Sequence, residues 1–405
     1  MGSDPIVRPA NGEVRRETSL GGHSFHVLHV TQSTHGGVAA YVRGVIEDQV
    51  DRGWRVTLVS PMGSLQEQVR RVHGASVLVW DARRDPGPSV VREVRSLRLL
   101  MRATRPDLIH LHSSKAGLVG RLAAMGQGVP TLFQPHGWSF EAVTGSLRSM
   151  SMSWERLGAR MCQRIICVSE AEGERGRRAG VRAGMEVVLS GVSTDVASAA
   201  PSAEHRSAVR AELRLPPGPL VVCVGRMCEQ KGQDLLLAAW SRIIERVPSA
   251  HLVLIGEGTL DARLRMRAGP SVLLAGPQKD VFPWLSAADL VVAPSRWEGL
   301  SLAVLEAMAA GRSVVATDVD GMRESIGESS GCVVPPEDPD ALVPPIVARL
   351  TDPELAAVEG SSAARRAREL FDVGRTHDTI ARLYQEVSRA AAIGGVRSSR
   401  QAVPA

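Results

Sequence analysis

Aromatic residues are scarce in this 405-residue chain: five Phe, two Tyr and seven Trp, 3% of the total. A core with so few rings must be aliphatic, so the architecture to expect alternates strands and helices rich in Val, Leu, Ile and Ala. No apolar run in the sequence approaches the roughly 20 residues that a membrane-crossing helix needs. The composition, 44% hydrophobic and 22% charged, is that of a soluble globular chain long enough for two or three domains. Lysine is rarer still. Lys115, Lys231 and Lys279 are the only three among 48 basic residues, an arginine bias that reads as high-GC coding. The five cysteines, Cys162, Cys167, Cys223, Cys228 and Cys332, are odd in number, and their two close pairs each enclose four residues. That spacing fits neither a zinc knuckle nor a redox motif, so reduced thiols and a cytoplasmic setting are expected. The amino terminus has no charged start leading into an apolar stretch and a small-residue cleavage site; nothing there marks the chain for export.

The net charge of +5 is too mild to indicate nucleic acid, and no basic motif interleaved with aromatics accompanies it. Residues 25–195, however, hold 22 basic against 15 acidic side chains. Two readings follow: a solvated basic face, or contact with an anionic membrane surface or acidic acceptor.

Thirteen short β-branched runs alternate with helical segments. Seven, from HVLHV at 26–30 to EVVLS at 186–190, precede a proline-rich break. Six follow it, from LVVCVG at 220–225 to CVVP at 332–335. Strands that are apolar on both faces belong to parallel sheets covered by helices, so the pattern predicts an α/β protein of two doubly wound domains. Ligands of such sheets sit at the carboxyl ends of the strands, and the cleft between the domains is the expected active site. The boundaries expected are a frayed segment at 1–24, a first domain at 25–195, a linker at 196–215, a second domain at 216–375, a helix at 376–390 crossing back to the first domain, and a frayed tail at 391–405.

The stretch Pro294-Ser295-Arg296-Trp297-Glu298-Gly299-Leu300-Ser301-Leu302 follows a buried strand and opens a helix expected over 303–310. Helix amino termini bind anions, and glycine lets backbone approach a ligand. Glu298 and Glu306 lie near one face of that segment and could address two parts of an extended ligand. Taken alone, such a pair more often marks a solvated helix face. Gly225-Arg226 with Lys231-Gly232 follows the first strand of the second half. Thr34-His35-Gly36-Gly37-Val38 is a glycine-rich turn between strand and helix, though not a GxGxxG fingerprint. His136-Gly137-Trp138 and the run His110 to Gly117, with His112 and Lys115, also stand at strand ends.

Taken jointly, and with Gly256-Glu257-Gly258, Ala288-Asp289 and Glu306-Ala307, these motifs give a chain that resembles the family-4 retaining glycosyltransferases of the GT-B fold over about residues 25–390. The resemblance implies two facing Rossmann-like domains. It implies transfer of a hexosyl or N-acetylhexosaminyl group from a nucleotide sugar, commonly UDP-linked, to a hydroxyl of a lipid-linked glycan or secondary-metabolite acceptor. On the matching positions it makes Arg226 and Lys231 the holders of the diphosphate, Glu298 the donor-sugar carboxylate, Glu306 the ribose-binding residue and His136 the histidine that contacts the donor sugar. The backbones of Gly299, Leu300 and Ser301 would meet sugar and distal phosphate, Gly36 and Gly37 would approach the phosphates, and His112 and Lys115 would contact the acceptor. A fixed cation at the leaving diphosphate stabilises charge that grows as the glycosidic bond breaks. No cofactor or metal is implied beyond the donor itself, and no nucleic-acid partner.

Two metal motifs are set aside at this stage. His110 and His112 share a strand face but lack an evident third ligand. Asp318-Val319-Asp320 imitates a metal-holding aspartate pair where the family usually has Val-Gly-Gly, and Ser190-Gly191-Val192-Ser193 departs from the usual Asn-Gly-Val-Asp. Other activities remain open: a GT-B epimerase or sugar phosphorylase, or a non-catalytic sugar-nucleotide-binding subunit. Finally, Arg156, Arg160 and Arg164 recur at spacings of four, with Arg148 before them, on a segment carrying Met150, Met152, Trp154 and Leu157. The spacing predicts one basic helical face beside apolar residues, suited to anionic lipid or to plain solvation.

Overall fold

The computed structural model describes residues 24–83, 86–194 and 203–400. The first domain holds β1 (His26–Thr31), β2 (Arg55–Ser60), β3 (Ala75–Val79), β4 (Leu108–His112), β5 (Thr131–Gln134), β6 (Arg164–Cys167) and β7 (Met185–Val187). They form one sheet in the order β3-β2-β1-β4-β5-β6-β7. The second domain holds β8 (Leu220–Val224), β9 (His251–Ile255), β10 (Val272–Gly276), β11 (Leu290–Ala293), β12 (Ser313–Thr317) and β13 (Gly331–Val334), in the order β10-β9-β8-β11-β12-β13. Every ladder in both sheets is parallel. The strand order reverses between β1 and β4 and between β8 and β11, which opens a crevice at the carboxyl end of each sheet.

Alternate residues of one strand serve opposite cores, and this is why the runs are continuously apolar. Along β1, Val27 joins the cluster with Ile46 and Trp54, whereas Leu28 and Val30 join that with Trp80 and Phe133. In β8, Val222 faces Leu305 and Met308, while Val221 and Cys223 face Leu236 and Trp240. Each such side chain contributes about 1.5–3 kcal/mol by leaving water.

Three features depart from the sequence-based outline. The helix Ala203–Glu212 lies inside the segment expected as linker, yet Val209, Leu213 and Leu215 pack on the second domain's core and Arg210 pairs with Asp289 at 2.8 Å. The last helix, Val373–Arg400, continues through most of the stretch expected as a frayed tail. Its Ile380, Ala381, Leu383, Tyr384 and Val387 enter the first domain's core, where Tyr384 stacks on Trp54 with centroids 6.1 Å apart. The chain re-enters that domain beside its exit: Val192 pairs with Asp372, and Val373 N donates to Val192 O at 3.0 Å. Third, the basic segment is not one helix. The helix Gly145–Gly158 gives way to a tight turn at Ala159–Met161, and Arg164 begins β6, where it pairs with Glu186 at 3.6 Å. Residues 1–23, 195–202 and 401–405, which hold most of the expected amino-terminal segment and part of the expected linker and tail, lie outside the described residues. Among the described residues no helix is long and apolar enough to cross a membrane.

Candidate functional site

The second domain's side of the cleft is built by two loops that follow β8 and β11. Gly232 sits at φ 64°, and a Cβ there would lie 1.9 Å from Pro294 O. Only glycine allows the first loop to close onto the second. That closure brings Lys231 Nζ onto Glu298 Oε1 as an ion pair. Ser295 Oγ donates to the same oxygen at 2.8 Å, and Glu298 is only 6% exposed. Arg226 is tied in from the other side: its Nη2 donates to Gln230 Oε1 at 3.0 Å, and Gln230 Nε2 donates to Trp297 O at 3.1 Å. Arg226 and Lys231, from one loop, are therefore both tied to the other loop, Lys231 at the Glu298 carboxylate and Arg226 through Gln230 at the Trp297 carbonyl.

A few residues past Glu298 the helix Leu302–Ala309 begins at Ser301, whose side chain makes no capping bond. The leading amides of a helix have no partner within it, a disposition suited to an anion. Glu306 lies farther along the helix, partly exposed. Burial pushes its carboxyl up to about 7, Asp280 adds to the shift and Lys231 opposes it.

Gly299 packs directly against the first domain: a Cβ there would meet Gly137 N at 2.8 Å. Its carbonyl accepts from Ser169 Oγ at 2.9 Å, and Leu300 and Ser301 beside it are buried. On the first domain's lip, Gly36 (φ 78°) precedes the helix Gly37–Asp51, and a Cβ on it would lie 3.6 Å from Arg226 Cδ. A cavity of about 460 Å³ opens here, lined by His35, Arg226, Cys228, Glu257, Gly258 and Asp261 among others. His136, held at φ 54°, stands edge-on to Tyr41 with ring centroids 5.0 Å apart. Burial pushes its imidazole down to about 3, so it is neutral at physiological pH.

Two residues assigned to acceptor contact are not presented to the cleft. His112 is fully buried behind His136, to which it bonds through Nδ1 and Nε2 at 3.2 Å. Lys115 is turned into the domain, where its ammonium meets Glu93 at 2.7 Å. The helix that starts at Ser113 rotates Lys115 away from the strand end that its sequence position suggested. His110 and His112 do have a third histidine beside them, contrary to expectation, because β1 supplies it: one ring nitrogen each of His29, His110 and His112 lies within 4.8 Å of the others. His29 Nδ1 and His112 Nε2 bond each other at 2.9 Å.

The domain seam holds carboxylates that no motif announced. Glu172 accepts from Gly137 N at 2.5 Å and from Val168 N at 2.7 Å, and burial raises it to about 7. Arg175 lies between Glu141, at 2.7 Å, and Asp320 of the other domain. Burial and then Asp320 push Glu141 up to about 8, against the pull of Arg175. Asp318 pairs with Arg323, so the two aspartates of Asp318-Val319-Asp320 are drawn to different arginines. The only sequence signal for this seam was the departure at Asp320.

Two family models match the chain: Glycosyltransferase Family 4 over residues 35–196 and Glycosyl transferases group 1 over residues 218–352. Among curated relatives, an Escherichia coli UDP-Gal:alpha-D-GlcNAc-diphosphoundecaprenol alpha-1,3-galactosyltransferase is 27% identical over 73% of this chain and 80% of its own length. A phosphatidyl-myo-inositol mannosyltransferase of Mycolicibacterium smegmatis is 28% identical over 88% of this chain and 91% of its own. Among solved structures, Anabaena HepE in complex with UDP and glucose superposes with a TM-score of 0.77 at 22% identity, over 89% of this chain and all of that one.

Proposed function

The chain belongs to the family-4 glycosyltransferases of the two-domain GT-B fold, and from that premise we propose that it moves a hexosyl or N-acetylhexosaminyl group from a UDP-sugar to a hydroxyl of a lipid-linked glycan, with retention at the anomeric carbon. The observation that carries this reading is the convergence of Arg226, Lys231 and the amino terminus of the helix Leu302–Ala309 opposite Gly36. Arg226 lines the cavity and Lys231 stands five residues on in the same loop, beside Glu298; two cations near a helix amino terminus are the chemistry that a diphosphate leaving group requires. Glu306 then meets the ribose hydroxyls and Glu298 the sugar, with His136 on the opposite wall.

Retention without a nucleophilic carboxylate follows from transfer on one face. The bond from the anomeric carbon to the diphosphate oxygen breaks and the acceptor oxygen bonds the same face, while the departing phosphate oxygen takes the acceptor's proton. Arg226, Lys231 and the helix amides hold the charge that the phosphate gains. They supply the counter-charge without a metal.

The lipid-linked acceptor is supported by the first domain's surface. Leu147, Met150 and Leu157 are 56%, 63% and 49% exposed on the helix Gly145–Gly158, with Arg148 and Arg160 exposed beside them. Both curated relatives described above have lipid-bearing acceptors in their names. The test is a panel of nucleotide sugars screened for release of free nucleotide, with the product's mass and anomeric configuration determined. Turnover of a UDP-hexose with an α-linked product supports the reading. Absence of turnover across the panel, with UDP bound, points instead to a binding subunit.

A further inference from the structure

Behind His136 the first domain buries a row of imidazoles. His136 Nε2 meets His112 Nδ1 at 3.2 Å, His112 Nε2 meets His29 Nδ1 at 2.9 Å, and His29 Nε2 meets Gln49 Oε1 at 2.9 Å. Parallel pairing of β1 with β4 sets His29 beside His110 and Thr31 beside His112, and so holds the rings in line. None of these imidazoles is charged at neutral pH: burial takes His29 to about 4, His136 to about 3 and His112 well below its ordinary range.

A row of neutral rings has only two consistent proton orders, because each ring donates through one nitrogen and accepts through the other. The group at its inner end chooses between them. Gln49 offers its oxygen, so His29 donates from Nε2 and accepts at Nδ1. His112 then donates from Nε2 and accepts at Nδ1, and His136 donates from Nε2. Beside the row Tyr384 bonds His110 Nδ1, and Gln49 Nε2 is buried with no hydrogen-bond partner among the described residues.

We propose that Gln49, His29 and His112 are positioning residues that fix His136 as its Nε2–H tautomer and leave its Nδ1 as a hydrogen-bond acceptor for a hydroxyl of the donor sugar. The proposal rests on the reading of His136 as a sugar contact. Among the described residues no protein group bonds that Nδ1. A site that only accepts selects a hydroxyl and rejects a carboxylate, which would set two acceptors face to face.

Nitrogen NMR of the histidine-labelled protein at pH 7, with His136 assigned by comparison with His136→Asn, reads the tautomer directly. Protonated Nε2 and bare Nδ1 are expected; protonated Nδ1, or a metal ion bound among His29, His110 and His112 in the purified enzyme, overturns the proposal. Gln49→Met keeps the side chain's volume and removes its oxygen, so the row loses its direction. The donor KM should then rise about fivefold to tenfold, the worth of one neutral hydrogen bond, with UDP affinity unchanged and the thermal midpoint lowered only as far as the loss of one buried hydrogen bond requires. UDP-glucuronate should compete better against UDP-glucose in that variant than in the wild type. An unaltered tautomer, KM and selectivity in Gln49→Met sink the relay. An unaltered donor KM in His136→Ala sinks the sugar contact instead, and the NMR experiment still judges the relay.

Discussion

Lys231 and Glu298 neutralise each other: the ammonium that should meet a diphosphate and the carboxylate that should meet a sugar form one ion pair, with Ser295 on the same carboxylate oxygen. In the proposed site the arriving phosphate competes with Glu298 for the ammonium. Arg226→Ala and Lys231→Ala should each lower turnover at saturating donor by about 10²-fold or more. They should differ in stability, because Lys231→Ala leaves Glu298 buried without its counter-charge, at a cost of about 1–3 kcal/mol. Steady-state kinetics with denaturant unfolding checks both. Near-normal turnover in both variants removes them from the phosphate site.

The two carboxylates of the second domain divide by role. Glu298→Gln should impair turnover, and Glu306→Gln should chiefly weaken UDP binding. Since the Glu306 carboxyl is raised to about 7, it accepts from ribose hydroxyls fully only above that value. Calorimetric UDP affinity should therefore rise between pH 6 and pH 8 in the wild type and stay flat in Glu306→Gln. An equal slope in both dissociates Glu306 from the nucleotide.

Activity should survive EDTA. Arg323 and Arg175 draw Asp318 and Asp320 apart, and in the proposed site Arg226 and Lys231 supply the counter-charge to the leaving group. Loss of turnover on chelation with recovery in manganese or magnesium would reverse this assignment.

The seam between domains should weaken as the solution becomes alkaline. Glu141 and Glu172 have folded-state pKa values of about 8 and about 7, above the 4.5 of a free carboxyl. Their neutral forms are favoured by folding, so that contribution is complete below about pH 4.5 and is lost as pH rises through 7 and 8. The thermal midpoint should fall over that range, and Glu141→Gln should flatten the decline. A midpoint independent of pH from 6 to 9 contradicts it.

Vesicles of anionic lipid should co-sediment the protein at low salt, through Leu147, Met150 and Leu157 with the exposed arginines near them. Leu147→Glu with Met150→Glu should abolish the association and leave turnover on a water-soluble acceptor intact. Indifference to anionic lipid in the wild type would favour a soluble acceptor.

Strand positions were legible because parallel strands buried on both faces leave uninterrupted apolar runs, and the Glu298 loop because it follows one of them and carries a glycine. Other features depend on partners far away in sequence. His29 reaches His112 only through the register of β1 on β4, and His110 meets Tyr384 across 274 positions. Lys115 stood at the right strand end, but the direction of its side chain was set by Glu93, on a different helix. Arg164 continued a spacing of four beyond the end of its helix; the β-branched run Ile165-Ile166-Cys167-Val168 was the better guide to its conformation.

Tyr384 and its neighbours on the last helix give the first domain a peculiar history. During synthesis that domain leaves the ribosome well before the segment that fills its core, and the place beside Trp54 and His110 stays open until residues 380–387 have been made. Its final packing, and with it the wall behind His136, is a late event that requires the second domain's polypeptide to be complete. A chain cut after Leu370 would keep every strand and every residue of the cleft, yet lack the piece that closes the domain opposite.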